Sequence, residues 1–223
     1  MLLTLLLACS GSPPPEKRVD ATRTLTFTTL EQLGPYRMEA SVERTLQYAG
    51  GEPQRTLTTM QLAWRTPDQW ELHRTRNGRP ITHAIVYDGS GWLATGEGRM
   101  NRLNDAEPLR ADLARTWDVW SETFGGLADR FAYTEVGLET VSGRPAEHHT
   151  VSLLPPPAKV KGRHPWVPTA VSGDVWLDEA TSLRVQAKVS VSAEGKGQTQ
   201  EITLLLAVSD VGADIPITQP DTP

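Results

Sequence analysis

The side chains of this sequence best suited to chemistry are one serine set between glycines and five histidines. Ser90 stands in Gly89-Ser90-Gly91, where a tight turn could present a hydroxyl nucleophile. The Gly-x-Ser-x-Gly spacing of a nucleophile elbow is absent, however, and no partnering base is marked. His73, His83, His148, His149 and His164 show neither His-x-x-x-His nor Cys/His spacing, the arrangements that hold zinc. Glu147 and His149 would share a strand face and could hold a cation weakly, although a solvated surface pair is the preferred reading. The expectation is a protein that is not an enzyme, with no catalytic residue, no metal and no cofactor.

The elements that would position any site read mostly as strands. Leu183, Val185, Ala187, Val189 and Val191 alternate with Arg184, Gln186, Lys188, Ser190 and Ser192, one face buried and the other wet. Such alternation favours an antiparallel sheet, because strands of a doubly covered parallel sheet read as continuous apolar runs. A glycine turn at 195–197 leads into Ile202, Leu204, Leu206 and Val208, closing a long hairpin. The opening strand carries Tyr36, Met38, Ala40, Val42, Leu46 and Tyr48 on one parity, with Arg44 the charged exception on that apolar side. Turns at Gly50-Gly51-Glu52-Pro53, Thr66-Pro67-Asp68, Asn77-Gly78 and Asp88-Gly89-Ser90-Gly91 then divide a meander of short strands.

The period becomes helical at Leu109, Leu113, Trp117, Trp120 and Phe124, with Pro108 at the start and Gly125-Gly126 at the stop. This predicts a single amphipathic helix. Further strands are expected over 131–141, 146–154 and 173–177, with a proline-rich loop over 155–168. The fold class is mostly β: an antiparallel curved sheet forming an open half-barrel, with the helix on its concave side.

Residues 2–8 form an apolar run broken only by Thr4, too short to span a bilayer and of the size of a signal-peptide core. It ends in Leu6-Leu7-Ala8-Cys9, which resembles the lipobox of bacterial lipoproteins and implies cleavage before Cys9 and lipidation of its thiol. Cys9 is the sole cysteine, so an intrachain disulfide does not account for it. Gly11, Pro13 to Pro15 and mixed charges follow, a composition unable to bury apolar surface. The expected organisation is a signal peptide at 1–8, a lipidated cysteine and tether at 9–22, a half-barrel domain at 23–215 and a disordered tail at 216–223. The acyl chains on Cys9 would attach the protein to a membrane without a spanning helix.

Composition narrows the partners. The 223 residues carry 27 acidic against 22 basic side chains, a net charge of -5, with no basic run, so no nucleic-acid partner is expected. A mean hydropathy of -0.37 places the bulk of the chain in water. Tryptophan outnumbers phenylalanine seven to three, and indoles suit both cores and ligand pockets.

Several segments resemble the half-barrel family of periplasmic lipoprotein carriers, LolA and LolB. Leu62-Ala63-Trp64-Arg65-Thr66-Pro67-Asp68-Gln69-Trp70 is similar to that family's strand, basic-Pro turn and strand, and Tyr87-Asp88-Gly89-Ser90-Gly91-Trp92 to its Asp-Gly turn before an aromatic strand. Gly173-Asp174-Val175-Trp176-Leu177-Asp178 with Thr181 is similar to mycobacterial lipid-binding lipoproteins of the LppX and LprG type. The matches together span most of the chain from Pro35 to Asp210. The resemblance implies an envelope lipoprotein, outer-membrane anchored and facing the periplasm, that binds or carries an acyl or lipid ligand. Trp64, Trp70, Trp92, Leu113, Trp117, Trp120 and Phe124 would line the cavity. The carriers place a gating arginine directly before the proline, where this chain has Thr66; Arg65 and Arg44 are the substitutes available. Two rival readings stand beside it: a filled core acting on envelope proteins through its outer surface, and an enzyme, for which no residue is nominated.

Overall fold

The computed structural model describes residues 31–155, 166–195 and 197–220, with backbone alone at 114–117. The signal segment, Cys9 and the tether fall outside it, as do His164 and most of the proline-rich loop. Among the described residues, eleven strands make one antiparallel sheet: β1 Tyr36–Tyr48, β2 Gln54–Thr66, β3 Gln69–Arg76, β4 Arg79–Tyr87, β5 Ser90–Thr95, β6 Asn101–Leu103, β7 Phe131–Val141, β8 Arg144–Leu153, β9 Val167–Asp178, β10 Arg184–Gly195 and β11 Gln198–Ser209. Their order is β6-β5-β4-β3-β2-β1-β11-β10-β9-β8-β7. The sheet is curved and does not close, giving the open half-barrel expected. β9 begins at Val167, inside the stretch expected as loop, because its residues pair with β10 from Glu194 inward.

Alternation decides which side of each strand is buried. On the concave side Tyr36, Met38 and Ala40 of β1 meet Trp64, Leu62 and Met60 of β2 across the ladder, and Ile202, Leu204 and Leu206 of β11 meet Val191, Val189 and Ala187 of β10. All belong to one continuous buried cluster. Tight pairing in this cluster requires Gly173 on β9: its φ is +146°, and a Cβ there would lie 2.1 Å from the Lys188 carbonyl oxygen of β10.

The helical segment covers the concave side in pieces. Helix α1 runs Glu107–Trp117, helix α2 Val119–Phe124, and a 3-10 turn Gly125–Arg130 leads into β7. The single helix expected is therefore broken. Asp118 leaves helical conformation at φ -82°, ψ 52°, and its Oδ1 accepts a hydrogen bond from Ser121 N at 3.2 Å, capping α2. The apolar stripe survives the break: Leu109, Leu113, Val119, Trp120 and Phe124 are all buried. Arg110 latches α1 to the β2–β3 turn through the Asp68 carboxylate and the Pro67 carbonyl, the latter at 3.4 Å.

The convex side has a small core of its own. Ala63, Ile85 and Trp92 are covered by Ile215 and Ile217 of the chain after β11. Packing therefore reaches beyond the boundary expected at residue 215, since Ile217 is only 6% exposed. At the β8–β9–β10 end, the buried Asp178 carboxylate accepts from Arg144 at 2.6 and 3.1 Å and from the Thr181 amide and hydroxyl at 2.9 and 2.8 Å.

Candidate functional site

Of the tryptophans expected to line a cavity, Trp64, Trp70 and Trp120 fill the core and Trp92 leaves the concave side. Trp64 and Trp70 face each other across β2 and β3, each fully buried, and Trp64 stacks on Tyr36 with centroids 6.2 Å apart. Trp120 packs edge-on against Phe124 and Phe131 at 4.8 and 5.9 Å, and the Arg184 guanidinium lies 4.4 Å over its ring. Tyr133 sits in the same group, where burial, opposed by the Arg184 charge, pushes its hydroxyl up to about 12. Leu113 is buried under the helix, and the Trp117 side chain is outside the described atoms. Trp92 lies on the convex side, paired with Ile85 beneath the C-terminal isoleucines.

A cleft of about 360 Å³ is open at one end of the sheet, between α2 and strands β1, β2 and β3. Register explains its lining. Val42 and Arg44 on β1 stand opposite Thr58 and Thr56 on β2, and Met60 and Thr58 stand opposite Arg74 and Arg76 on β3. Every one of these side chains has inward parity. Val119, Glu122 and Thr123 of α2 close the other side. Ala40, Val42, Met60 and Val119 make the cleft's apolar surface, and three guanidinium groups, the Glu122 carboxylate and Thr56, Thr58 and Thr123 make its polar part.

Two of the arginines also hold α2 in place. Arg44 donates to the Thr123 carbonyl at 3.3 Å, and Arg74 Nη2 pairs with Glu122 Oε1 at 3.0 Å. Arg74 Nε is buried with no hydrogen-bond partner among the described residues. A buried N–H without an acceptor is costly, and this one belongs to a side chain that lines the cleft.

Of the two arginines expected near a gate, Arg44 lies in this cleft. Arg65 does not: it is on the convex side and pairs with Asp214 at 3.2 Å. Arg74 and Arg76 were not anticipated, although Arg74 carries the same signal as Arg44, a charge on the parity of Trp70 and Leu72. Glu147 and His149 do pair, with Nε2 3.4 Å from Oε2, but only the glutamate is solvated, since His149 is buried.

The geometry defines a class, an open antiparallel half-barrel with helices on its concave side, here with an amphiphilic cleft among the described residues. No family model and no curated protein matches the chain. Among solved structures it is similar to a Vibrio parahaemolyticus domain assigned to outer membrane lipoprotein sorting, at 12% identity and a TM-score of 0.27, covering 87% of this chain and 95% of that one. It is similar to the lipoprotein LppX of Mycobacterium tuberculosis, at 13% identity and a TM-score of 0.28, covering 86% and 97%. The MucA/MucB complex of Pseudomonas aeruginosa also matches, at 15% identity and a TM-score of 0.29, covering 90% and 64%. Similarities at this level leave the chain's chemistry to be read from its own side chains. No helix among the described residues is long and apolar enough to cross a membrane.

Proposed function

We propose that the protein binds one amphiphile, with an anionic or acceptor-rich head at Arg44, Arg74 and Arg76 and an apolar portion against Ala40, Val42, Met60 and Val119, without covalent chemistry. The convergence of three arginines beside Ala40, Val42, Met60 and Val119 in one cleft carries this reading. A volume of about 360 Å³ lies at the small end of ligand pockets, enough for a head group and part of a chain. A longer chain requires α2 to swing away, and α2 is held at this end by the contacts of Arg44 and Arg74 that an acidic head would take over. In this reading Cys9 carries the lipid that holds the domain on the envelope, at the outer membrane and facing the periplasm.

The test is native mass spectrometry and fluorescent fatty-acid titration of the Cys9→Ala chain. Saturable binding of one acyl anion is expected, weakened at least about tenfold by Arg74→Met, which removes a charge-assisted contact of about 1.5–3 kcal/mol. Met60→Trp, which fills the cleft, should abolish it with the fold intact by circular dichroism. A wild-type chain that stays free of lipid at saturating concentration sinks this reading. The second reading would then stand, a filled-core module for envelope protein partners, which the solid packing of Trp64, Trp70 and Trp120 favours.

A further inference from the structure

The convex side brings together three side chains that the cleft does not use. Glu71 and His73 are two residues apart on β3, so they share a face, and His83 stands directly opposite His73 on β4. The Nε2 atoms of His73 and His83 lie 2.8 and 2.9 Å from the same Glu71 Oε1, and the two imidazoles stack with centroids 3.7 Å apart. All the candidate donor atoms fall within 4.8 Å of one another. We propose that Glu71, His73 and His83 form a binding site for a divalent transition-metal ion, with zinc as the reference ion, in which two imidazole nitrogens and one carboxylate oxygen are ligands and a further position faces solvent.

The donor chemistry fits. Two imidazoles and a carboxylate suit zinc and its first-row neighbours and not calcium or magnesium, which take oxygen ligands. Three protein ligands with an open position is the arrangement of accessible zinc centres. Ligand separations of 2.8 and 2.9 Å need to widen only by a few tenths of an ångström to surround an ion at the usual bond lengths of about 2.0–2.1 Å. The side chains are 29% exposed for Glu71, 45% for His73 and 32% for His83, so an ion can reach them and the strands still limit their rotamers. Glu71 is flanked by Ala63 on β2 and Ile85 on β4, both in the buried convex core under Ile215 and Ile217.

The convergence depends on one irregularity. Arg76 pairs with Arg79 and Thr75 with Pro80, but Arg74 pairs with Thr82 and His73 with His83, so Ile81 is an extra residue in β4. Without that bulge His83 would face Leu72 and point to the concave side. The histidine cluster on β8 shows the contrast. His148 spends its two ring nitrogens on separate carboxylates, Nδ1 2.8 Å from Glu139 Oε1 and Nε2 2.9 Å from Asp174 Oδ1, so its acids do not converge with it on one point.

The experiment uses the full, untagged chain stripped with chelator, titrated with Zn²⁺ by calorimetry and with Co²⁺ by its ligand-field absorption. One ion per chain is expected, with a rise in Tm on addition of Zn²⁺. His73→Ala and His83→Ala should each weaken binding by more than about tenfold, since even outer-shell losses reach that range. His148→Ala should leave it unchanged. Glu71→Gln, which keeps shape and removes the charge, decides the matter if a histidine variant fails to fold. Absence of saturable Zn²⁺ binding, or binding that persists at full strength in Glu71→Gln and in the histidine variants, would overturn the proposal. Acyl binding in the concave cleft is read separately and does not bear on the outcome.

Discussion

Asp178 shows how much one residue can hold together. Burial pushes its carboxyl pKa up, but the hydrogen bonds from Arg144 and from the Thr181 side chain and amide, with the Arg144 charge, pull it further down, to a net value below the ordinary carboxylate range. A carboxyl lowered in the folded state contributes stability in full above its unfolded pKa of about 3.9 and loses that contribution as pH falls through the folded value. Asp178→Asn is expected to cost about 3 kcal/mol at neutral pH, the low end for a broken buried pair because Arg144 keeps some access to water. Urea denaturation at pH 7 and again near pH 3 checks this, and the gap between wild type and variant should narrow in acid. Residue identity alone marked the turn Asp178 to Leu183 only by resemblance. The carboxylate's partners lie on β8 and in the turn itself, a convergence visible once strands are paired.

At the scale of elements, strand parity and turn chemistry were legible and helix continuity was not. Alternation on β1, β10 and β11 placed the concave residues correctly, because one face of each is wet and a slip by one residue would bury charges. Trp92 was misplaced for the opposite reason. Gly91, Trp92, Leu93 and Ala94 on β5 are small or apolar on both parities, and so are Ala84, Ile85 and Val86 on β4, so neither strand states which face it buries. The helical stripe was read correctly as apolar but not as interrupted, since a mid-helix aspartate looks like any exposed polar residue until its side chain caps a new turn. Asp118→Ala should cost about 1 kcal/mol, the usual worth of such a cap, as a shift in the denaturation midpoint at unchanged slope. Arg74 and Arg76 belong here too. The inward charge on Arg44 was noted, and the same rule applied along β3 would have found the second wall of the cleft. The β4 bulge that turns His83 outward has no comparable mark in the sequence, apart from Pro80 just before it.

For the whole molecule, the two faces of the sheet are unequal. The concave side holds a continuous core, and the convex side holds a small one that exists only because the chain after β11 folds back over it. Truncation after Asp214 removes Ile215 and Ile217 and uncovers Ile85 and Trp92. At about 1.5–3 kcal/mol for each buried isoleucine, the loss should reach about 3–6 kcal/mol, with new binding of an apolar dye at the exposed patch. The open half-barrel was legible as a class. Packing past residue 215 was not, because Ile217, set between two prolines, reads as tail until the surface it covers is known.

The strand order sets a timetable for assembly. Arg37 of β1 pairs with Ser209 of β11, so the first of the described strands is completed by the last, while the two edge strands, β6 and β7, follow one another along the chain. Emergence from the N-terminal end delivers β1 with one side able to pair with β2 and the other left open until almost everything else has emerged. That open side is a bare row of amide and carbonyl groups in the middle of what will become the sheet, and long-range pairing of this kind is slow. The stretch from β1 to β6 must therefore wait, half-zipped, for its closing partner, and the moment of greatest risk of pairing with a stranger comes just before the last hairpin arrives.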